Sequence, residues 1–301
     1  MSWQGPVPPA LAGERVDVAV SRLLGMARTK AAELAAGGLV QVDGARTAKS
    51  ARLAEGQQLV VEIPVAPDLP EPVVELERVY EDSDLIVIDK PVGVAAHAGP
   101  GWSGPTVLGS LLAQGVALAT GGPLERRGIV QRLDVGTSGL MMVAKSERAY
   151  CVLKQMFRDR GVAKTYHAVA QGLPDPLTGT IDAPIGRVPG AFKFAVLAGG
   201  KPSITHYQLI EAFARASLLE VGLETGRTHQ IRVHLAAIGH PLVGDPFYGG
   251  DPKLAAHLGL GRQWLHAAGL AFDHPITGLA LRLESPYPAD LAAALALLRE
   301  S

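Results

Sequence analysis

One acidic residue, Asp134, stands in a setting that suits chemistry. An arginine, Arg132, lies two residues before it, and a short Gly/Thr/Ser stretch, residues 136–139, follows it. The β-branched entry, the polar turn and the apolar run 140–144 predict a strand, a loop and a second strand, with Asp134 exposed at the bend. Rigid strands often hold reactive loops in this way. We therefore expect the Asp134 carboxylate to act as a nucleophile or as a base.

The motif Gln131-Arg132-Leu133-Asp134, with Thr137-Ser138-Gly139 behind it, resembles the active-site motif of the RluA/RluD family of pseudouridine synthases. The family pattern begins with histidine, so Gln131 is a departure, although glutamine can still hold a phosphate or a backbone group by hydrogen bonds. Other blocks resemble further family signatures, in family order, over roughly residues 73–290. They are residues 89–93 with His97, residues 164–166, residues 225–234 and residues 239–245.

This resemblance implies a cofactor-independent isomerase that converts uridine in RNA to pseudouridine. The reaction cleaves the bond from the uracil nitrogen to the sugar, rotates the base and rejoins it through carbon. The Asp134 carboxylate could attack the anomeric carbon or remove a sugar proton to give a glycal, and both routes stay open. The resemblance also implies that Arg232 pairs with Asp134, which favours the ionised carboxylate.

The remaining site residues follow from the resemblance and from the need to extrude the target base from folded RNA. Arg132 is expected to fill the place that the flipped uridine vacates. Tyr166 is expected to stack on the uracil, with its hydroxyl available for proton transfer or hydrogen bonding. Without the resemblance, Tyr166 would be interpreted as a buried structural residue. Gln131, Arg227 and His229 are expected to contact RNA.

Composition limits the class of protein. The chain has 301 residues, of which 48% are hydrophobic, enough for one or two folded domains. Its single cysteine, Cys151, cannot form an intramolecular disulfide and is expected to pack within a helix. The start does not look like a signal peptide, and no apolar run reaches about 18 residues. The sequence therefore predicts a soluble cytoplasmic protein that does not enter a membrane.

Overall charge does not indicate a nucleic-acid partner, because 28 basic and 29 acidic side chains leave a net charge of −1. An RNA-binding surface must therefore be local. Basic residues outnumber acidic residues between Arg15 and Arg52, a stretch that contains Arg22, Arg28 and Lys30. A solvated surface is the alternative interpretation of such a cluster.

Residues 1–63 predict a small domain of two helices and a hairpin. The predicted elements are a helix over residues 16–24, a second helix capped by Thr29 that runs to Ala36, and strands over residues 39–42 and 59–63 with a turn at Asp43-Gly44. This pattern resembles the small RNA-binding module named after the fourth small-subunit ribosomal protein. The resemblance implies that Arg22, Arg28 and Lys30 contact RNA.

Residues 64–72 are rich in proline and predict a semi-extended linker to a catalytic domain, residues 73–301. Strands and helices do not alternate regularly in that domain. We therefore expect an α+β pseudouridine synthase fold, with a mixed, mainly antiparallel sheet flanked by helices. The predicted elements are strands over residues 85–89 and 164–171 and helices over residues 106–112, 149–160, 228–238 and 289–298.

Other chemistries fit the sequence less well. The loop after Asp134 looks like that of an aspartic protease, but no second copy is present to share a proton. His229 and His234 are not spaced to bind a metal on one helix face, and Ser138 lacks the Gly-x-Ser-x-Gly setting of a hydrolase. No glycine pair has the spacing of a phosphate loop. We therefore expect no cofactor, no metal and no obligate protein partner.

Three functional alternatives remain open. The first is an RNA-binding ribosome-assembly factor that has lost catalysis, although such a factor would not need Asp134, Tyr166 and Arg232 together. The second is an N-glycosidase, which shares the first chemical step but releases free uracil. The third concerns the substrate. Large-subunit ribosomal RNA is expected by analogy with family members of the same domain layout, and transfer RNA is the alternative.

Overall fold

The chain is described here by a computed structural model that covers residues 2–26, 28–62, 72–99, 101–121, 123–191 and 193–300. Contacts between Cα atoms divide it into two compact units, Met1–Pro70 and Glu71–Ser301, called below the N-terminal and the C-terminal unit. The predicted linker, residues 64–72, lies outside the described residues apart from Pro72. None of the helices within the described ranges is long and apolar enough to cross a membrane.

The N-terminal unit combines two helices with an antiparallel sheet. Its elements are β1 (Ser2–Pro6), α1 (Val16–Leu24), α2 (Arg28–Ala36), β2 (Val40–Val42), β3 (Ala45–Arg46) and β4 (Gln58–Glu62). The strand order is β1-β4-β2-β3, and apolar side chains of both helices share one core with β2 and β4. Asp43 and Gly44 both have positive φ, 51° and 78°, which suits an Asp-Gly pair in a tight hairpin. The predicted helices and hairpin are therefore present, with β1 as an addition.

One detail of the N-terminal prediction is wrong. The second helix begins at Arg28, so Thr29 lies inside its first turn and not at the N-cap. Helix ends shift by one or two residues with the criterion used, because the terminal turn frays. The first helix ends at Gly25, whose φ of 63° puts it in the left-handed region.

The C-terminal unit is built on one large sheet. Its strands are β5 (Glu77–Glu81), β6 (Leu85–Lys90), β7 (Ser138–Ala144), β8 (Ala163–Gln171), β9 (Thr178–Asp182), β12 (Ile204–Ala212), β13 (Ala216–Leu223), β14 (Leu265–Asp273) and β15 (Ala280–Glu284). The order is β5-β6-β7-β14-β8-β13-β12-β9, and β15 also pairs with β14. Among the described strands, β7 and β14 pair in parallel and the other pairs are antiparallel. The predicted mixed, mainly antiparallel sheet is confirmed.

A separate pair of short strands, β10 (Ile185–Arg187) and β11 (Phe194–Val196), and five helices complete this unit. The helices are α3 (Val107–Ala113), α4 (Glu147–Arg158), α5 (Gln230–Ala237), α6 (Pro252–His257) and α7 (Ala289–Glu300). Four of them correspond to predicted helices, with ends that differ by at most two residues, and α6 was not predicted. The unit is therefore α+β, as expected.

Both faces of the central strands are covered, which explains their unbroken apolar runs. Ile86, Ile88 and Met141 point into a core that includes side chains of α3 and α5. Their neighbours in β6 and β7, such as Val87 and Met142, point into a second core with side chains of α4. Successive strand residues alternate between faces, so each strand serves both cores. The segment between β6 and β7 is thereby anchored at both ends.

Two further predictions are wrong. Residues 128–144 do not form a strand-loop-strand hairpin. The entry segment makes one isolated bridge, Ile129 to Val143, and strand structure begins only at Ser138. Cys151 lies on α4 with its side chain exposed and does not pack. In both cases apolar residues in the sequence indicated burial or strand pairing, but the packing of the rest of this protein left Cys151 exposed and the entry segment with one isolated bridge in place of a strand.

Candidate active site

A cavity of about 1100 Å³ opens in the C-terminal unit, and the loop that carries Asp134 forms part of its wall. Every site residue predicted for this unit lines it: Gln131, Arg132, Asp134, Tyr166, Arg227, His229 and Arg232. These side chains come from three separate stretches of sequence. The tertiary structure therefore brings together residues that are as much as 101 positions apart, from Gln131 to Arg232.

A tight turn presents the Asp134 side chain. The Thr137 N–H donates to the Asp134 carbonyl at 3.0 Å, and the Gly93 N–H donates to the Val135 carbonyl at 2.9 Å. Just after the turn, Gly139 has φ of 109°, and a Cβ there would lie 2.3 Å from the Ala267 carbonyl oxygen. Glycine is needed at this close approach. Asp134 is thus held at a fixed bend, with 24% of its side chain exposed.

Arg232 connects Asp134 to a second carboxylate. Its Nη1 donates to Asp134 Oδ2 at 3.2 Å, while Nε and Nη2 donate to the two oxygens of Asp245 at 2.7 and 2.9 Å. The arginine comes from α5 and is buried. Burial alone would lower its pKa, but the hydrogen bonds and charges of Asp245 and Asp134 raise the pKa of Arg232 overall. The guanidinium is therefore permanently charged and points at the reactive carboxylate.

Asp245 was missed by the sequence analysis as a site residue. Its carboxylate is fully buried and also accepts the backbone N–H groups of Phe247 and Tyr248 at 2.9 and 3.2 Å. These bonds fix Asp245, and Asp245 fixes the plane of Arg232 through a bidentate contact. The available signal was its place at the end of the block 239–245, which resembles a family signature.

His229 also lies beside the catalytic candidate. Its Nε2 is 3.8 Å from Asp134 Oδ2, and its Nδ1 is 2.7 Å from the Tyr248 hydroxyl. The residue has φ of 56° just before α5. Burial, helped by the charge of Arg232, lowers the pKa of His229, although Asp134 opposes this shift. The imidazole is therefore mostly neutral at pH 7. The sequence predicts that His229 contacts RNA, and the structure adds a position next to Asp134.

Tyr166 lines the same cavity from β8. Its side chain is almost completely buried, and burial, followed by the charge of Asp134, raises the pKa of the Tyr166 phenol. The phenol therefore stays protonated and can donate a hydrogen bond. A ring in this position can also offer its face to a planar ligand.

Lys90 is a buried cation beneath this region that the sequence analysis did not assign. Its Nζ donates to the carbonyls of Pro91 and Val94 at 2.9 and 2.8 Å. Burial lowers the pKa of Lys90 to about 7, although the charge of Asp134 opposes the shift. The two bonds tie down the loop whose Gly93 N–H supports the Asp134 turn. Lys90 therefore acts on the site through this loop.

Arg262 supports the other side of the turn and was also missed. Its Nη1 donates to the Gly136 carbonyl at 3.1 Å and to Ser138 Oγ at 3.2 Å. Its Nε and Nη2 hold the Asp290 carboxylate at 2.7 and 3.0 Å, at the start of α7. The C-terminal helix therefore helps to position the loop that carries Asp134.

The structure places a histidine beside Ser138, as a hydrolase would need, but it leaves a substrate no access to the pair. Ser138 Oγ lies 3.0 Å from His266 Nδ1, a pairing that sequence spacing did not suggest. The two side chains are 2% and 0% exposed, and neither lines the active-site cavity. A substrate cannot reach this pair, so it serves as a buried hydrogen-bond network.

Arg132 and Gln131 lie at a more open part of the cavity wall. Arg132 is exposed, and its Nη2 donates to Thr228 Oγ1 at 3.2 Å. Among the described residues, Gln131 Nε2 and His97 Nδ1 are buried without a hydrogen-bond partner. Unpartnered polar atoms at a cavity wall can accept bonds from a ligand or donate bonds to it. Arg227 is held by a bond from its Nε to the Pro202 carbonyl at 3.2 Å.

The predicted RNA contacts of the N-terminal unit do not belong to this cavity. Arg22 pairs with Glu14 at 2.8 Å, and Arg28 pairs with Asp17 at 3.1 Å. Lys30 lies in α2, and its side chain is outside the described part of the structure. Two of the three predicted contacts are therefore already engaged by acids within the unit.

Comparison with known proteins agrees with this arrangement. A sequence model described as RNA pseudouridylate synthase matches residues 84–237. An RNA pseudouridine synthase of Mycobacterium bovis is 57% identical over 98% of this chain and 97% of its own length. The ribosomal large subunit pseudouridine synthase D of Pseudomonas aeruginosa is 40% identical over 98% of this chain and 95% of its own length.

Solved structures lead to the same family. The human RNA pseudouridylate synthase domain containing 4 matches with a TM-score of 0.59 and 25% identity, over 74% of this chain and 93% of its own. The human RNA pseudouridylate synthase domain containing 1 matches with the same TM-score and 26% identity, over 79% and 98%. The chain therefore belongs to the RNA pseudouridylate synthase family, in its RluA/RluD group, and is an isomerase.

Proposed function

We propose that this enzyme isomerises one or more uridines of large-subunit ribosomal RNA, with Asp134 reacting at the sugar. The observation that carries the proposal is the ion-paired series Asp134, Arg232 and Asp245, of which Asp134 and Arg232 line a cavity of about 1100 Å³. The volume is suited to an extruded nucleoside. The name of the Pseudomonas aeruginosa relative, a ribosomal large subunit pseudouridine synthase, supports ribosomal RNA as the target.

The contacts of Asp134 distinguish its two oxygens. Arg232 Nη1 and His229 Nε2 both approach Oδ2, at 3.2 and 3.8 Å. Oδ1 is therefore the oxygen that we assign to the reaction, either in attack on C1′ or in removal of the C2′ proton. In both routes the N1–C1′ bond breaks and a C5–C1′ bond forms. C5 loses a proton and N1 gains one, so the product is an isomer of the substrate.

Tyr166 and Arg132 complete the proposed site. The protonated phenol of Tyr166 would hold the rotating uracil by stacking or by a donated hydrogen bond. Arg132 is exposed, and within the described ranges its side chain makes one hydrogen bond, from Nη2 to Thr228, so it can leave that partner and occupy the space of the extruded base. Gln131, Arg227 and His229 would contact the neighbouring sugar-phosphate or base edges.

The N-terminal unit is proposed to recruit RNA in the cytoplasm. Its two helices and hairpin resemble a known RNA-binding module, and Arg22 and Arg28 are exposed enough to exchange their acid partners for phosphates. We keep residues 1–63 as this domain, residues 64–72 as the linker and residues 73–301 as the catalytic domain. Lys30 is the third proposed contact.

The experiment is to map pseudouridine by carbodiimide labelling and primer extension on undermodified ribosomal and transfer RNA. The RNA is incubated with wild-type protein, with Asp134→Asn, or with Asp182→Asn as a control at an exposed aspartate outside the cavity. Stops with the wild type and the control, but not with Asp134→Asn, are expected. Equal stops with Asp134→Asn would contradict the role of Asp134.

The same reactions separate the alternatives. Stops on transfer RNA alone would move the substrate away from ribosomal RNA. Free uracil in the supernatant would identify an N-glycosidase, because the base would then leave and not rejoin the sugar. Tight RNA binding without product on either RNA would identify a binding factor that has lost catalysis.

A further inference from the structure

One wall of the active-site cavity is a helix face that the proposed chemistry does not use. Tyr150, Lys154 and Arg158 of α4 all line the cavity. They are spaced four residues apart, so they lie one above the other on the same side of the helix. We call these three residues the α4 face. The adjacent side of α4 packs Leu153 against the sheet, and the Tyr150 ring borders the same core.

Among the described residues, no carboxylate forms an ion pair with the cations of the α4 face. Lys154 and Arg158 are exposed, and neither forms an ion pair with a carboxylate of the described residues. Lys154 Nζ lies 5.8 Å from the centre of the Tyr150 ring, and Arg158 Nη1 donates to Gln155 Oε1 at 2.7 Å. By contrast, the nearby Arg160 pairs with Glu224.

A third cation continues this surface into the cavity. Lys164 of β8 is partly buried, and its Nζ lies 6.0 Å from the centre of the Phe157 ring. Burial lowers the pKa of Lys164 because no described carboxylate compensates it. Lys164 and Tyr166 are two positions apart in one strand, so both face the cavity. Lys164 therefore connects the α4 face to the position proposed for the uracil.

The cavity wall is cationic although the chain as a whole is not. Nine Lys or Arg residues line it against two acids, Asp134 and Glu224, whereas the whole chain has 28 basic and 29 acidic residues. The nine are Arg126, Arg132, Lys154, Arg158, Arg160, Lys164, Arg227, Arg232 and Arg262. Such a local excess is the electrostatic signature of a polyanion site.

We propose that the α4 face and Lys164 form a binding site for the phosphate backbone of the RNA strand that flanks the extruded uridine. The inference rests on the proposed function, since it assigns the path of that substrate. Lys154 and Arg158 are about 6 Å apart along the helix axis, so they can engage neighbouring phosphates of one strand. Tyr150 supplies an aromatic surface for a base of the same strand.

The test uses full-length protein and an unmodified transcript of large-subunit ribosomal RNA. Filter binding over a salt series is measured for wild type and for Lys154→Ala/Arg158→Ala, each also with Asp134→Asn to separate binding from turnover. Loss of two phosphate contacts should weaken affinity about 10- to 100-fold. The slope of log affinity against log salt should fall by about 1.5. In the active background, KM should rise by more than kcat falls.

Two matched variants make the result specific. Arg148→Ala removes one positive charge from the same helix, as each single substitution of the double variant does, at an exposed position that does not line the cavity, and it should bind like the wild type. Lys154→Arg/Arg158→Lys keeps both charges and should restore affinity, because phosphate contacts of this kind need charge more than shape. Affinity and salt slope equal to wild type in the double alanine variant would overturn the site.

Failure of the proposed phosphate-binding site can be distinguished from failure of the proposed function. A wild-type enzyme that makes no pseudouridine, but binds the transcript through Lys154 and Arg158, would contradict the proposed function and support the site. An active enzyme that is indifferent to both alanine substitutions would contradict the site alone. Binding that is weakened equally by Arg148→Ala would show a non-specific charge effect and would also overturn it.

Discussion

Two regions of this protein hold clustered basic residues. In one region these residues pair with carboxylates, and in the other they form no such pair with the described residues. In the N-terminal unit, Arg15 and Arg28 both donate to Asp17, whose side chain is buried, and Arg22 pairs with Glu14. On the α4 face of the C-terminal unit, Lys154 and Arg158 form no ion pair with a described carboxylate. A basic run in the sequence therefore overstates the charge that the N-terminal unit can present to a ligand.

The active-site cavity contains both arrangements. Arg232 is buried and bonded to Asp134 and Asp245, so its position is fixed. Lys164 has no carboxylate partner in the part of the chain that the structure describes, and it remains available to an anion. Pairing fixes geometry at the reacting carboxylate, and the absence of pairing leaves charge for the substrate. The comparison thus separates cations that position other groups from cations that bind.

The largest expected effect comes from disturbing a paired cation at the reaction centre. Asp245→Asn weakens the bidentate contact that orients Arg232, and a small displacement of Arg232 changes the setting of Asp134. We expect kcat to fall by about 100-fold. Single-turnover pseudouridine formation measures it. Glu211→Gln, at an exposed ion pair with Arg299, is the control and should keep wild-type activity. Unchanged kcat in Asp245→Asn would mean that pairing does not set this geometry.

Lys90 is a buried cation whose Nζ donates to the carbonyls of Pro91 and Val94, and it sharpens the comparison through pH. Its pKa falls from 10.5 to about 7 on folding. Between these values the unfolded chain binds more protons, so the free energy of unfolding should rise with pH, by at most about 1.4 kcal/mol per pH unit. Denaturant unfolding of wild type from pH 7 to pH 10 should show the rise, and Lys90→Met should flatten it. The same rise in Lys90→Met would contradict the assignment. Lys253→Met, at an exposed lysine, is the control and should show the wild-type rise.

Arginines that are already paired should matter less for RNA than the α4 face. Arg22→Ala/Arg28→Ala is expected to weaken binding of the ribosomal RNA transcript by only about threefold, because each charge is partly compensated. Glu14→Gln frees Arg22 and should strengthen binding slightly. Filter binding at one salt concentration suffices. A loss as large as that in Lys154→Ala/Arg158→Ala would break the distinction between the two regions.

The smallest effect should appear in acid. Hydrogen bonds from Arg15 and then Arg28 lower the pKa of Asp17 from 3.8 to about 2. This group therefore stabilises the N-terminal unit above pH 3.8, and its contribution is lost as pH falls through 2. In the wild type, the backbone amides of α1 and α2 should lose protection against hydrogen exchange as the pH falls from 3.8 to about 2. In Asp17→Asn, exchange should be faster at neutral pH and should depend less on acid. Identical pH profiles would contradict the pairing.

The sequence by itself determined the family, the α+β class and the short motifs. Asp134 between Arg132 and a Gly/Thr/Ser turn could be recognised from local order alone. Alternating or periodic apolar residues located six of the seven described α-helices but only five of the fifteen described strands. The pairing of Arg232 with Asp134 was expected only by resemblance. In the structure Arg232 Nη1 lies 3.2 Å from Asp134 Oδ2. Local chemistry and local spacing suffice for such statements because they involve neighbours in the chain.

Only the tertiary structure decided which distant groups support the site. Asp245 acts on Asp134 through Arg232, and Lys90 and Arg262 support the Asp134 turn from two other parts of the chain; nothing in their local sequence states these partners. The hairpin expected around Asp134 reduced to one bridge, because β7 pairs with β6 and β14. Likewise, charge left unpaired on the α4 face depends on which carboxylates fold beside it. Burial and pairing are properties of the packed chain, and residue order alone does not contain them.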